Sequence, residues 1–123
     1  MQCEIISIGS ELTSGQNLDT NSQWLSERLN ELGVEVAFHT TVGDQLQDNI
    51  AAFRAAIHRA DVVVATGGLG PTADDLTRDA IATAVGVDLV QDEAALDHIR
   101  KLFARRGRPM PERNLLQANN LRM

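Results

Sequence analysis

The sequence predicts an α/β protein: a three-layer α/β/α sandwich on a mostly parallel sheet. Short β-branched runs end in glycine or aspartate turns, and a stretch with helical periodicity follows each of them. The resulting order, β-α-β-α-β-α and then a further helix, produces helices on both faces of a parallel sheet when the crossovers are right-handed. A length of 123 residues fits one domain, residues 1–123.

The first unit begins with an apolar strand at residues 5–8 that stops at Gly9. A polar loop follows, and Thr20 with Gln23 fits a capping box at the start of a helix. We expect Trp24 to pack against the interior and Gly33 to end the helix. The apolar face predicted for this helix consists of Leu18, Leu25, Leu29 and Leu32.

The second and third units repeat this order. Residues 34–42 alternate in polarity and predict a strand, after which Asp44 is placed to cap a helix. The unbroken apolar run at residues 61–65 predicts a third strand that is buried on both faces. A third helix is predicted over residues 72–85, ended by Gly86.

The remaining sequence predicts helices without a further strand. Asp92 is placed to cap a fourth helix that Gly107 ends, and a short helix is expected around Leu115 and Leu116.

Composition excludes several classes of protein. The net charge of −6 disfavours sequence-independent nucleic-acid binding, which depends on a Lys/Arg surface. One cysteine, Cys3, cannot form an intrachain disulfide, and we expect it to be a buried thiol. No apolar run is long enough to cross a bilayer, and the first residues lack the pattern of a signal peptide. We therefore expect a cytoplasmic protein with neither nucleic acid nor membrane as a partner.

Three loops follow the carboxyl ends of the three predicted strands: residues 9–15, 43–44 and 66–75. Open α/β sheets bind ligands along that edge. Chain order alone therefore predicts that the carboxylates of Glu11, Asp44, Asp74 and Asp75 lie near one another.

The glycine-rich turn at residues 66–72 predicts a phosphate site, because glycine lets backbone N–H groups approach an anion and a helix N-terminus favours negative charge. A turn that only reverses the chain is the alternative. A Walker A loop is excluded because Gly-Lys-Ser/Thr is absent. With the first loop included, the predicted phosphate- or substrate-binding residues are Gly9, Ser10, Glu11, Thr66, Gly67, Gly68, Leu69, Gly70, Pro71 and Thr72.

Carboxylates beside this turn predict a divalent-cation site formed by Asp74, Asp75 and Glu11. Each has a plainer alternative. Asp75 fits a capping box with Thr72, Asp74 complements a helix dipole, and Glu11 fits a solvated loop. Asp44, taken alone, is better explained as a helix cap.

Five motifs together resemble one known family. Residues 9–12, 15–16, 19–21, 41–44, and 66–72 together with 74–77 look like the N-terminal domain of CinA, the competence/damage-inducible protein family. That domain belongs to the molybdopterin-binding (MoaB/Mog-like) superfamily. The resemblance extends from residue 1 to about residue 117.

This resemblance implies a molybdopterin-binding-domain fold and a nucleotide or pterin phosphate ligand. It implies ADP-ribose pyrophosphatase activity with a divalent metal (Mg or Co) and, as in some members of the family, K. The Mog-like relatives imply instead binding or adenylylation of molybdopterin. By the same resemblance Asp44 and Asp75 are catalytic and the protein forms dimers or trimers. By the same resemblance we expect the family's domain to continue beyond residue 123, and we expect this sequence to lack the C-terminal amidohydrolase domain of full-length CinA. A truncated, non-catalytic domain is therefore a third expectation.

Overall fold

The computed structural model describes residues 1–72 and 75–122. In chain order, its strands and helices are β1 (Gln2–Ile8), α1 (Ser10–Thr13), α2 (Thr20–Glu31), β2 (Glu35–Val42), α3 (Leu46–Arg59), β3 (Val62–Thr66), α4 (Thr77–Val85), β4 (Leu89–Gln91), α5 (Glu93–Arg105), a 3-10 helix (Glu112–Ala118) and β5 (Asn119–Leu121).

A parallel three-stranded sheet in the order β2-β1-β3 is the centre of the molecule. Successive residues of β1 face opposite layers. Ser7 is hydrogen-bonded to Ser22 of α2 on one side, whereas Ile6 and Ile8 pack with α3 and α4 on the other. The three-layer arrangement on a parallel sheet confirms the predicted fold class.

The main apolar core lies between the sheet and helices α3 and α4. Phe53 of α3 is its largest buried side chain, and Ile6, Ile8, Ile50, Ala56 and Ala80 complete the cluster. Cys3 is fully buried, as expected, and burial raises the pKa of its thiol.

Strand β1 also buries an ionisable group at its amino-terminal end. Glu4 is fully buried and accepts two hydrogen bonds from Arg59, at 2.7 and 3.0 Å, and one from Thr40 at 2.7 Å. The Arg59 guanidinium, which also lies 4.0 Å from the centre of the Phe38 ring, holds the pKa of Glu4 below its usual value despite burial. This charge is therefore compensated inside the protein.

Two predicted helix caps are wrong. Asp19, not Thr20, caps α2, and its carboxylate accepts a hydrogen bond from the Ser22 N–H. Asp44 does not cap α3. The N-cap position is Gln45, which has an extended backbone and makes no side-chain cap hydrogen bond, and the helix begins at Leu46. The Asp44 carboxylate is thereby left to the loop. The predicted cap at Asp92 is confirmed by a 2.9 Å hydrogen bond from Ala95 N–H.

The third predicted helix begins at residue 77 rather than 72. Thr72 and Asp75 close a separate turn, in which the Asp75 N–H donates to the Thr72 carbonyl at 3.1 Å. That turn ends before the first turn of α4 is formed.

The prediction that residues 61–65 are buried on both faces is also wrong. Strand β3 covers Val62–Thr66, and all five residues are half-buried. The reason is its place in the sheet: within the described residues it pairs with β1 alone and therefore forms an edge.

Part of the apolar face predicted for helix α2 is wrong. Leu18 and Leu32 lie at its ends and are exposed, and Trp24 is 59% exposed rather than packed inside. The Trp24 ring instead lies beside Arg28, 5.7 Å from ring centre to guanidinium carbon. Leu25 and Leu29 are half-buried, and the fully buried position of α2 belongs to Ser22.

The sequence pattern did not indicate α1 or the antiparallel pair β4–β5. Both consist of three- or four-residue elements, which are too short to show a periodicity. Among the described residues, the longest apolar helical stretch falls short of what a bilayer crossing needs.

Candidate functional site

A cavity of about 250 Å³ lies at the carboxyl-terminal edge of the central sheet. The three loops predicted to meet there do meet, and they contribute every lining residue beyond the end of β1. The lining consists of Ile8, Gly9, Ser10, Glu11, Asp44, Gly67, Gly68 and Asp75.

The first loop is joined to the second by the backbone. Gly9 N–H donates to the carbonyl of Val42, the last residue of β2, at 2.9 Å. Helix α1 then begins at once, and the Glu11 carboxylate lies over Gly9 so closely that a Cβ at position 9 would collide with it. Glycine at position 9 is therefore what lets the Glu11 side chain fold back to the cavity rim.

The third loop requires glycine at two consecutive positions. Gly67 and Gly68 have φ angles of 96° and 68°, in the left-handed region that side chains disfavour. A Cβ on Gly67 would collide with the Ile8 carbonyl oxygen, and one on Gly68 would collide with the Thr77 hydroxyl. The turn thus packs backbone directly against the end of β1, which brings its peptide groups to the cavity.

Asp75 is hydrogen-bonded within the same turn. Its Oδ2 accepts from the N–H of Thr72 at 3.1 Å and from the Thr72 hydroxyl at 2.5 Å. The Thr72 hydroxyl, with help from backbone donors and the nearby Arg78, lowers the pKa of Asp75 against the effect of burial. The carboxylate-to-backbone half of the predicted capping box exists here, although no helix starts at Thr72.

The other two carboxylates of the cavity have no cationic partner in the described part of the chain. Neither Glu11 nor Asp44 forms an ion pair with a Lys, Arg or His of residues 1–72 and 75–122. Among those residues, no group of three or more His, Cys, Asp or Glu side chains lies close enough together to share one metal ion. Asp74, the further predicted metal ligand, lies outside the described residues.

Half of the predicted phosphate-binding residues do not line the cavity: Thr66, Leu69, Gly70, Pro71 and Thr72. Leu69 faces two other cavities, of about 390 and 360 Å³, with largely apolar side chains around them. The helix-dipole argument also fails, because α4 begins nine residues after Gly68. An anion held by this turn would meet the turn's own N–H groups rather than the N-terminus of α4.

Two buried polar residues beside the cavity were not singled out as site residues from the sequence. Asn49 and Thr77 are 1% and 2% exposed, and both bind loop carbonyls. A sequence signal exists: each is a polar residue in the first turn of a helix that follows a ligand loop.

A family model described as a probable molybdopterin binding domain matches residues 4–116. The chain belongs to this molybdopterin-binding domain family. A putative competence-damage inducible protein of Lysinibacillus sphaericus is 49% identical to it, and a CinA-like protein of Dictyoglomus thermophilum is 50% identical, each over 96% of this chain. The predicted resemblance to CinA is therefore confirmed.

Solved structures agree with this membership. The crystal structure of CinA from Thermoplasma acidophilum superposes with a TM-score of 0.91 at 33% identity, over 98% of this chain and 71% of that one. MoaB from Thermus thermophilus shares the fold, with a TM-score of 0.64 at 21% identity over 98% of this chain and 77% of that one.

This molybdopterin-binding domain spans less than a third of its curated relatives. The chain covers 28% of the Lysinibacillus sphaericus protein and 29% of the Dictyoglomus thermophilum protein. What those whole proteins do is therefore a separate matter from what this domain does.

Proposed function

We propose that the cavity binds the pyrophosphate of ADP-ribose or a related dinucleotide and that the domain hydrolyses it with the help of a divalent cation. The reaction consumes one water and yields AMP and ribose 5-phosphate. One observation carries the proposal: three carboxylates and two left-handed glycines converge on a single small cavity.

Electrostatics explains why a cation belongs to the proposal. Two unpaired carboxylates repel a pyrophosphate brought into the same cavity, and the repulsion is strong where water is excluded. A divalent cation bound by these carboxylates would turn the repulsion of the pyrophosphate into an attraction. Mg²⁺ commonly uses only one or two protein carboxylates and completes its shell with water and substrate phosphate oxygens. Glu11 and Asp44 fit that donor set, with Asp75 beside them.

Cavity size favours the pyrophosphate as the group bound inside. About 250 Å³ is below the roughly 300–1,000 Å³ that is typical of sites enclosing a whole drug-sized ligand. A diphosphate and a hydrated cation fit such a volume, whereas the nucleoside and ribose would extend beyond it.

In this proposal each group of the cavity has a separate role in the reaction. The N–H groups of the Gly67–Gly68 turn hold phosphate oxygens, as backbone nests do. Asp44 accepts the proton of the attacking water, and Asp75, ionised by its bonds to Thr72, holds the turn and adds negative charge for the cation. When bound, the cation polarises the phosphoryl group and lowers the pKa of coordinated water.

The test is AMP release from ADP-ribose, measured chromatographically with Mg²⁺, with Co²⁺ and with EDTA, and with and without K⁺. We expect turnover that EDTA abolishes. Metal-independent turnover would remove the cation from the proposal, and no turnover under any of these conditions would overturn it.

A second candidate is binding or adenylylation of molybdopterin. The family description and the likeness to MoaB favour it. Both ligands present a phosphate to the same turn, so competition separates them. A pterin phosphate that displaces ADP-ribose at much lower concentration, without AMP release by the domain, would favour this second function.

A further inference from the structure

The first turns of α3 and α4 each contain a buried polar side chain that binds the loop preceding its helix. Asn49 and Thr77 are both almost fully buried, and neither lines the cavity. Both reach carbonyl groups of residues that do line it, or that flank one that does.

Thr77 binds the glycine turn twice. Its hydroxyl donates to the Gly67 carbonyl at 2.7 Å, and its N–H donates to the Gly68 carbonyl at 3.2 Å. The peptide bonds of the described residues are trans, so the N–H of each peptide points opposite to its carbonyl. With the Gly67 carbonyl held toward α4, the Gly68 N–H faces away from α4. It donates to no acceptor among residues 1–72 and 75–122.

Asn49 binds the loop of Asp44 on both sides. Its Nδ2 donates to the carbonyls of Gly43 and Gln45, at 2.9 and 2.8 Å. Only the NH₂ end of the amide satisfies two carbonyls, which determines its orientation. The buried Oδ1 then has no hydrogen-bond partner within the described residues. Leaving such an atom unpaired costs stability, which indicates that the two hydrogen bonds from Nδ2 contribute more than the unpaired Oδ1 costs.

We propose that Asn49 and Thr77 are the positioning residues of the cavity: Asn49 sets the Asp44 carboxylate, and Thr77 sets the Gly68 N–H toward the phosphate. The inference rests on the proposed function of this cavity. It assigns the two residues different consequences, because Asp44 acts in the chemical step whereas the turn N–H binds phosphate in both ground and transition states.

Steady-state kinetics with ADP-ribose and Mg²⁺ separates these consequences. Thr77→Val removes the hydroxyl at nearly constant shape and should raise KM about tenfold with kcat within about threefold. Thr77→Ser keeps the hydroxyl and should restore KM. Asn49→Ala should lower kcat about a hundredfold with little change in KM, because small displacements of a reacting group are expensive. Asn49→Ser, with one donor, should fall between.

Asp92→Ala is the matched control, because it removes the cap of α5 at a residue that does not line the cavity. It should lower Tm without moving either kinetic constant. If Asp92→Ala shifts KM or kcat as much as the test variants do, or if Thr77→Val and Asn49→Ala shift neither, the proposal is wrong.

A measurement on the unsubstituted chain keeps the proposal testable if a variant does not fold or if ADP-ribose is not the substrate. Titration with inorganic pyrophosphate and Mg²⁺, followed by amide NMR, should move the Gly68 and Asp44 resonances most. Larger shifts elsewhere, or none anywhere, would overturn the positioning roles. AMP release tests the hydrolysis separately. Failure of the proposed hydrolysis can therefore be told apart from failure of the positioning roles.

Discussion

The two ends of the central sheet both carry acidic side chains, but the surroundings of these side chains are opposite in kind. At the amino-terminal end, Glu4 is fully buried and held by Arg59 and Thr40. At the carboxyl-terminal end, Glu11 and Asp44 border a cavity with no ion-pair partner in residues 1–72 and 75–122. A charge compensated within the fold serves stability, whereas an uncompensated charge beside a cavity is available to a ligand or cation.

Removing the charge of Asp44 at the cavity should have the largest effect on turnover. Asp44→Asn should lower AMP release by on the order of 10²–10³-fold, the usual contribution of a positioned base, while the free energy of unfolding changes by less than about 0.5 kcal/mol. Asp48→Asn is the charge-matched control, because Asp48 is exposed on α3. Equal losses in both variants would mean that overall charge, not the cavity, controls turnover.

Neutralising the other end should produce the reverse result. Glu4→Gln weakens two charge-assisted hydrogen bonds from Arg59 and should destabilise the fold by about 1.5–3 kcal/mol in urea unfolding, with turnover of the folded protein unchanged. Glu35→Gln, at an exposed position of β2, should have little effect. A Glu4→Gln variant as stable as the parent would show that the buried pair contributes nothing net.

Cation binding should also distinguish the two ends of the sheet. Mg²⁺ at ten times its Kd should stabilise the unsubstituted chain by about 1.4 kcal/mol, by mass action on the folded state. The same increment should remain in Glu4→Gln and shrink in the double variant Glu11→Gln/Asp44→Asn, as measured by Tm with and without EDTA. An increment that survives the double variant would place the cation elsewhere.

The smallest expected effect is the pH dependence of the Glu4 contribution. The folded pKa of Glu4 is lowered from 4.5, so its stabilisation is present above pH 4.5 and is lost as pH falls through and below that value. The stability gap between the parent and Glu4→Gln should therefore narrow on acidification. A gap that is constant from pH 7 to pH 3 would contradict the assigned ion pair.

Much of the fold was predictable because its signals are local. The three strands of the main sheet and the helices after them appear as runs and periodicities, and the glycines that end helices adopt the expected left-handed conformation at positions 33, 86 and 107. The convergence of Glu11, Asp44 and Asp75 followed from chain order, since parallel strands bring their carboxyl ends to one edge.

Other features depended on contacts between residues distant in sequence. Burial of β3 is set by its edge position, and exposure of Trp24 by which face of α2 meets the sheet. The start of α4 was mispredicted because Asp75 bonds Thr72 in a separate turn, a competition that the capping pattern does not reveal.

Composition, periodicity and motif order by themselves determined the α/β class, the family resemblance and the edge of the sheet where the loops meet. Three features emerged from the folded structure instead: which loop residues line the cavity, the pairing of Glu4 with Arg59, and the bonds from Asn49 and Thr77 to loop carbonyls. The difference lies in how far apart along the chain the interacting residues are. Hydrophobic periodicity acts between near neighbours, whereas the partner of a buried charge or carbonyl is chosen by packing of separate elements.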